Sequence, residues 1–273
     1  MQFICSKCGH KEPVTTRKPR CQCGGLWDLN FQLPAFSLEQ VDTKEWSQFR
    51  YRNFMTLEGD TWKGVSLVEG MTPIVRLDDD VMLKMDYFMP MLSFKDRGAA
   101  VLVAHCKAIG VDKVVQDSSG NAGNSVAAYC AKAGIECEIF VPAGTSPKKI
   151  DMIRAHGATC TVVPGGRDQC AEVCRQKVED EGVFYANHVY NPFFYEGTKT
   201  YIYETFEQLG RVPEHLVIPV GNGTLFIGAI YVLEHLLASG CIDHILQVIA
   251  LQSQNCDPLL RAPQNREHLF RQR

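Results

Sequence analysis

From residue 93 onward, apolar and polar positions alternate between a period near 3.6 and short continuous apolar runs. Helical spacing over about 96–110 places Ala99, Leu102, Val103, Cys106 and Ile109 on one face. Strand-like runs follow at 113–115, 137–141, 159–163 and 184–186. Between them the pattern predicts helices over about 121–133, 147–156 and 167–181, with Ser146 as N-cap and Pro147 at the first helical position. A second block reads helix 195–209, strand 216–219, helix 224–239 and strand 245–251. Strands alternating with helices imply right-handed crossovers and parallel sheets, hence an α/β fold. Before residue 93 the pattern is poorer, and within 36–92 only 81–85 reads as a strand.

The first 30 residues differ in character. Cys5-Ser6-Lys7-Cys8-Gly9-His10 and Cys21-Gln22-Cys23-Gly24-Gly25 bracket a basic turn. Two close thiolate pairs about a dozen residues apart can surround a tetrahedral Zn²⁺, with glycines letting the backbone turn tightly. Cys5, Cys8, Cys21 and Cys23 are therefore candidate ligands of a structural zinc. Four free thiols in a loop are the plain alternative. A nucleic-acid-binding ribbon is disfavoured, because Thr15-Thr16-Arg17-Lys18-Pro19-Arg20 carries too little positive charge.

Composition narrows the class without selecting a function. The 273 residues are 45% hydrophobic and 22% charged, which suits one large or two medium globular domains. A net charge of −3 gives no global attraction to nucleic acid or to a membrane surface. No apolar run is long enough to span a bilayer, and the N-terminus lacks a signal-peptide pattern. Eight of the 12 cysteines are scattered through patterned segments, which points to a reducing cytosol rather than a disulfide framework.

Three polar stretches carry candidate chemistry. Ser93-Phe94-Lys95-Asp96-Arg97-Gly98 opens a helix. A lysine that forms a Schiff base must shed its proton near neutrality, and burial achieves that. The alternative is a solvated lysine at a helix start. Ser118-Ser119-Gly120-Asn121-Ala122-Gly123-Asn124 follows a strand and opens a helix, where free N–H groups favour an anion. Helix capping by Ser or Asn is the alternative there. Val220-Gly221-Asn222-Gly223-Thr224-Leu225 occupies an equivalent junction and could cradle a phosphate; a plain βα turn is the other reading.

Taken in this order, the three stretches resemble the fold-type II pyridoxal-phosphate enzymes, and most of all the threonine synthase family. Glu69-Gly70-Met71-Thr72-Pro73-Ile74 resembles the segment that precedes the cofactor lysine in that family. The resemblance implies two lobes with parallel-rich sheets. A zinc ribbon would cover 1–35, a small lobe 96–188, and a large lobe 36–95 with 189–273. It implies pyridoxal 5′-phosphate on catalytic Lys95, with Asn121 against the cofactor ring and Val220, Gly221, Asn222, Gly223 and Thr224 at its phosphate. Ser118 and Ser119 would take the substrate carboxylate. Asn187 would meet a substrate phosphate, with Lys199 and Arg97 as further candidates, although Arg97 could instead pair with a carboxylate. Asn191-Pro192 reads as a cap or turn.

The implied activity is conversion of O-phosphohomoserine and water to threonine and phosphate, by a cytoplasmic enzyme acting on a small amino-acid substrate. A homodimer is left open. Departures from the family pattern keep other readings in play. Pro90-Met91-Leu92 replaces the family's P-T-G before the lysine, and the second cysteine pair is C-x-C rather than C-x₂-C. No residue is identifiable as partner of the pyridine nitrogen, and the charged tail 266–273 reads as a chain cut short. A serine/threonine dehydratase, a cysteate synthase, or a non-catalytic cofactor-binding remnant are the alternatives.

Overall fold

The computed structural model describes residues 1–57 and 59–261; the tail expected at 266–273 lies outside them. The N-terminal unit is a three-stranded antiparallel sheet: β1 (Gln2–Cys5) lies between β2 (Lys11–Pro13) and β3 (Trp27–Asn30). So small a sheet cannot bury a core alone. It buries Phe3, Cys5, Cys21 and Trp27 in the same apolar cluster as the first long helix. Phe3 stacks on Trp27 at 6.0 Å and meets Phe193 edge-on at 6.0 Å. Distinct in composition, the ribbon is nonetheless packed into the body.

Residues 38–64 form three 3₁₀ segments (Leu38–Gln40, Gln48–Phe54 and Thr61–Gly64), which have neither helical nor strand period and so left no pattern to read. The hairpin of β4 (Ile74–Arg76) and β5 (Met82–Lys84) follows. Then comes α1 (Lys95–Ala108). It was expected to be amphipathic, yet it is buried on every side from Lys95 to Cys106, because the ribbon and neighbouring helices surround it.

The small lobe alternates β6 (Lys113–Gln116), α2 (Asn121–Ala133), β7 (Glu136–Pro142), α3 (Pro147–Ala155), β8 (Thr159–Val163), α4 (Arg167–Glu181) and β9 (Phe184–Tyr185). Its four strands pair in parallel in the order β8-β7-β6-β9. The loops after these strands therefore all leave the same carboxyl edge, where open α/β sheets bind ligands. Ser146 stands at the N-cap of α3, but its hydroxyl makes no capping bond.

The helix expected over 195–209 is two: α5 (Pro192–Thr198) and α6 (Thr200–Leu209), joined at Lys199. Asn191 caps α5, accepting from the Phe193 N–H at 3.0 Å, and Pro192 fills the first position. After α6 come β10 (His215–Pro219), α7 (Thr224–Ala238) and β11 (Gln247–Leu251). β10 and β11 pair in parallel, and a second apolar cluster joins them to α6, α7 and the 3₁₀ region. No helix among the described residues is long and apolar enough to cross a membrane.

Candidate active site

Lys95 is the first residue of α1, and the turn before it is held from both sides. The Ser93 hydroxyl accepts from the Lys95 N–H at 3.3 Å, and the Asp96 carboxylate accepts from the Met91 N–H at 2.6 Å. Leu92, standing where the resembled pattern has glycine, takes φ +58°, a left-handed conformation that a side chain resists. Lys95 is only 9% exposed. Its Nζ lies 4.5 Å from the centre of the Phe94 ring and 5.6 Å from that of Phe194. Burial among these apolar groups disfavours the ammonium and pushes the amine down to about 8. The same burial pushes the neighbouring Asp96 carboxyl up to about 6.

The Lys95 Nζ donates to Thr224 Oγ1 at 3.2 Å, which joins the start of α1 to the start of α7. Thr224 is fixed in turn by Asn222, whose Oδ1 accepts from its N–H at 3.2 Å and its hydroxyl at 3.1 Å. The N–H groups of Gly221, Asn222 and Gly223 have no acceptor among the described residues. A Cβ at Gly221 or Gly223 would meet nothing within 4 Å, and Gly223 needs its φ of +87°. This is an open cradle of N–H groups at a helix start, beside a buried amine. It fits a phosphate-bearing aldehyde cofactor.

A second open helix start lies at the carboxyl edge of β6. Gly120 occupies the N-cap of α2 without any side-chain capping bond, so Ser118, Ser119 and Asn121 are not spent on capping. A Cβ at Gly123 would fall 1.9 Å from the Ser118 carbonyl oxygen, so only glycine permits this loop. Asn121 is exposed and Ser118 and Ser119 are half-buried.

The cations expected near a substrate phosphate are spent elsewhere. Arg97 is fully buried, with paired bonds of 2.9 Å to Asp86 and bonds of 2.9 and 3.1 Å to Glu204. Lys84 also reaches Glu204, at 2.5 Å. Burial alone would raise the Glu204 carboxyl, but Arg97 and Lys84 override it and hold it at about 2. Lys199 pairs with Glu196 at 2.8 Å inside the protein. Asn187 donates to Asp117 at 2.7 Å and to the Tyr185 hydroxyl at 3.0 Å, and accepts from the Val189 N–H at 2.8 Å. The Glu69-Gly70 motif also serves the interior: Glu69 accepts from Tyr129 at 2.9 Å and from the Leu67 N–H at 2.9 Å, and burial pushes it up to about 7. Thr72 bonds Glu204 and Asp86.

Two residues without an expected role stand at this edge. His188 follows β9 and is 5% exposed; its ring lies 5.6 Å from that of Phe194. Arg167, exposed at the start of α4, and Lys95 both place positive charge near His188. His188 directly follows Asn187, an expected site residue, and Arg167 opens the helix expected at 167–181, but neither was given a role of its own.

In the ribbon, the ligand atoms of Cys5, Cys8, Cys21 and Cys23 lie within 4.8 Å of one another. Neighbouring sulfurs stand 3.4–3.7 Å apart, too far for a disulfide. Four thiolates at about 2.3 Å from a tetrahedral zinc would sit about 3.8 Å apart, so the cluster fits that ion. Gly25 closes the knuckle, where a Cβ would fall 2.5 Å from Cys5 Sγ.

Residues 65–270 match the family described as pyridoxal-phosphate dependent enzyme. Threonine synthase of Methanocaldococcus jannaschii is 29% identical over 272 residues, covering 94% of this chain and 67% of that protein. Threonine synthase of Mycobacterium leprae is 33% identical over 210 residues, covering 74% of this chain and 58% of its own. The chain thus spans about three-fifths to two-thirds of these relatives' length. Among solved structures, O-ureido-L-serine synthase superposes with a TM-score of 0.63 at 26% identity, over 75% of this chain and 66% of that one. Diaminopropionate ammonia lyase of Escherichia coli shares the fold, with a TM-score of 0.61 at 20% identity, over 70% of this chain and 62% of that one.

Proposed function

The chain belongs to the pyridoxal-phosphate dependent enzymes, and from that premise we propose that it is a lyase of the threonine synthase type, converting O-phosphohomoserine and water to threonine and phosphate. The observation that carries the cofactor assignment is the Lys95 amine, buried and 3.2 Å from Thr224 Oγ1 at the mouth of the open Gly221–Gly223 cradle. Lys95 is the attachment point. Val220, Gly221, Asn222, Gly223 and Thr224 hold the cofactor's phosphate, and Asn121 lies along its ring. Bound there, the cofactor supplies an electron sink for the carbon that bears the substrate's amino group.

The chain's own residues do the rest. The open start of α2, with Ser118 and Ser119, binds the substrate carboxylate through unpaired N–H groups and hydroxyls. Lys95, with its amine near 8, takes protons from the substrate's α- and β-carbons, so that phosphate leaves the γ-carbon, and returns protons to the γ- and α-carbons while water adds at the β-carbon. Phe94 and Phe194 keep water from its nitrogen. Asn187 reaches a substrate phosphate only by giving up Asp117 or Tyr185. Arg167 is an exposed cation whose charge is felt at His188, beside Asn187. Cys5, Cys8, Cys21 and Cys23 hold one structural Zn²⁺, in a protein we place in the cytosol.

A second reading has its own support. Because Arg97 and Lys199 are consumed by internal ion pairs, the site also suits a substrate with an uncharged side chain, as in a serine/threonine dehydratase. Assay of the cofactor-loaded protein separates the readings. Phosphate from O-phosphohomoserine, with little turnover of threonine or serine, is the expected result. Keto acid from threonine with no phosphate from O-phosphohomoserine would favour the dehydratase, and neither product would favour a non-catalytic remnant.

A further inference from the structure

The loop that opens α2 is anchored by side chains at its two ends. At one end the Asp117 carboxylate accepts from the Tyr185 hydroxyl and from Asn187, each at 2.7 Å. At the other, Asn124 Oδ1 accepts from His156 Nε2 at 3.1 Å. Between these anchors, the only side-chain bond among the described residues stays inside the loop, from the Gly120 N–H to the Ser118 hydroxyl at 3.4 Å. The N–H groups of Asn121, Ala122 and Gly123 have no acceptor among the described residues. These are the donors that the reading above gives to the substrate's carboxylate. Their direction depends on how the loop is anchored.

His156 belongs to another element and has no part in the proposed reaction. It stands at the C-cap of α3, where its N–H bonds the carbonyl of the buried Ile153 at 3.2 Å. Gly157, at φ +81°, ends the helix there. The ring is thus carried on a fixed piece of backbone. Its partner Asn124 is only 7% exposed, so an amide oxygen left without a donor would be costly. Asn124 also closes the first turn of α2, its N–H bonding the Gly120 carbonyl at 3.2 Å. One residue therefore ties the end of α3 to the start of α2. Burial holds the imidazole below its ordinary value, so at neutral pH it is uncharged, and the bond needs only one ring N–H.

We infer that His156 is a positioning residue for substrate binding: by holding Asn124 it fixes the aim of the α2 start, and so sets the affinity for the substrate's carboxylate. The inference rests on the reading that places the carboxylate there. His156 acts through Asn124. The cofactor's attachment and phosphate cradle lie at the starts of α1 and α7 and stand apart from this clamp.

The test titrates the cofactor-loaded protein with L-2-aminobutyrate and with 1-aminopropane, which differ by the carboxylate, while the cofactor's visible band is followed. The natural protein should bind the amino acid more tightly. In His156→Phe, which keeps a flat ring but has no N–H, the amino-acid constant should weaken about three- to tenfold, the value of one hydrogen bond. The 1-aminopropane constant should not move. His156→Gln keeps a donor and should recover part of the loss. In Asn124→Ala, adding His156→Phe should cost nothing further. An amino-acid constant unchanged in His156→Phe, or both constants weakening alike, would overturn the assignment. Loss of the visible band in both His156 variants would reduce the residue to a structural role and overturn it too. Equal constants for the two probes in the natural protein would refute the carboxylate placement, and this inference with it. Failure to release phosphate from O-phosphohomoserine would refute the threonine synthase reading alone.

Discussion

Gly197→Ala tests how closely the site depends on the crossing of α1 and α5. A Cβ at Gly197 would lie 1.9 Å from the Arg97 carbonyl oxygen, 2.6 Å from its carbon and 2.8 Å from Gly98 Cα. All three are backbone atoms, so no rotamer change relieves the clash. Ordinary contact begins at 3.4 Å, so the two helices must part by about 1.5 Å, a shift that close-packed interiors resist. Overpacking of this kind costs about 1–3 kcal/mol, and an unyielding backbone puts it at the upper end. Reduced freedom of the unfolded chain returns about 0.4–1 kcal/mol. The net loss is about 2 kcal/mol, a fall in Tm of about 4–8 °C for a chain of this size. The separation also moves Phe194, which lies against Gly98 and covers Lys95. Cofactor retention should therefore weaken together with Tm. Thermal unfolding of the cofactor-loaded variant measures the first and the visible band on dilution the second. Gly144→Ala is the control, since a Cβ there meets nothing within 4 Å. If Gly197→Ala melts with that control, the close crossing does not have the role given to it.

Two further outcomes follow from charge and from sulfur. Glu204 ionises near 2 in the folded chain against 4.5 when unperturbed, so it contributes stability above about pH 4.5 that is lost as pH falls towards 2, of order 3 kcal/mol. Glu204→Gln should be less stable at neutral pH yet lose less through that window; parallel denaturant midpoints for the two proteins from pH 5 to 2 would refute this. Protein purified without chelator should carry about one zinc per chain, and stripping it should lower the Tm of the whole chain, because Phe3 and Trp27 pack with α1. Four freely reactive ribbon thiols with no metal would contradict it.

The alternating half of the chain was legible because its signals are local. Period, β-branched runs and turn residues placed α4 at 167–181, where it is found. Lys95 and the Gly221–Thr224 turn were legible for a related reason: each sits at a helix start, which sequence marks well. What escaped depends on distance along the chain. The Asp86–Arg97–Glu204 cluster draws on three segments, and only its assembly shows that Arg97 is held inside. The break at Lys199 was not legible because the nearby Gly197 serves the close crossing with α1, and the Lys199 side chain turns in to Glu196 only in the assembled fold. Ribbon residues Phe3 and Trp27 pack in one cluster with Phe193 and α1, contacts between distant segments that no local pattern marks.

The central claim is that Lys95 carries the cofactor, and absorption spectroscopy of Lys95→Ala tests it most directly. The natural protein, incubated with pyridoxal phosphate and desalted, should keep a visible band, and the rate of its formation should rise with pH through about 8, where burial places the amine. Lys95→Ala should keep its fold and lose the band. A band that persists undiminished in Lys95→Ala would place the covalent link on another lysine and contradict the account.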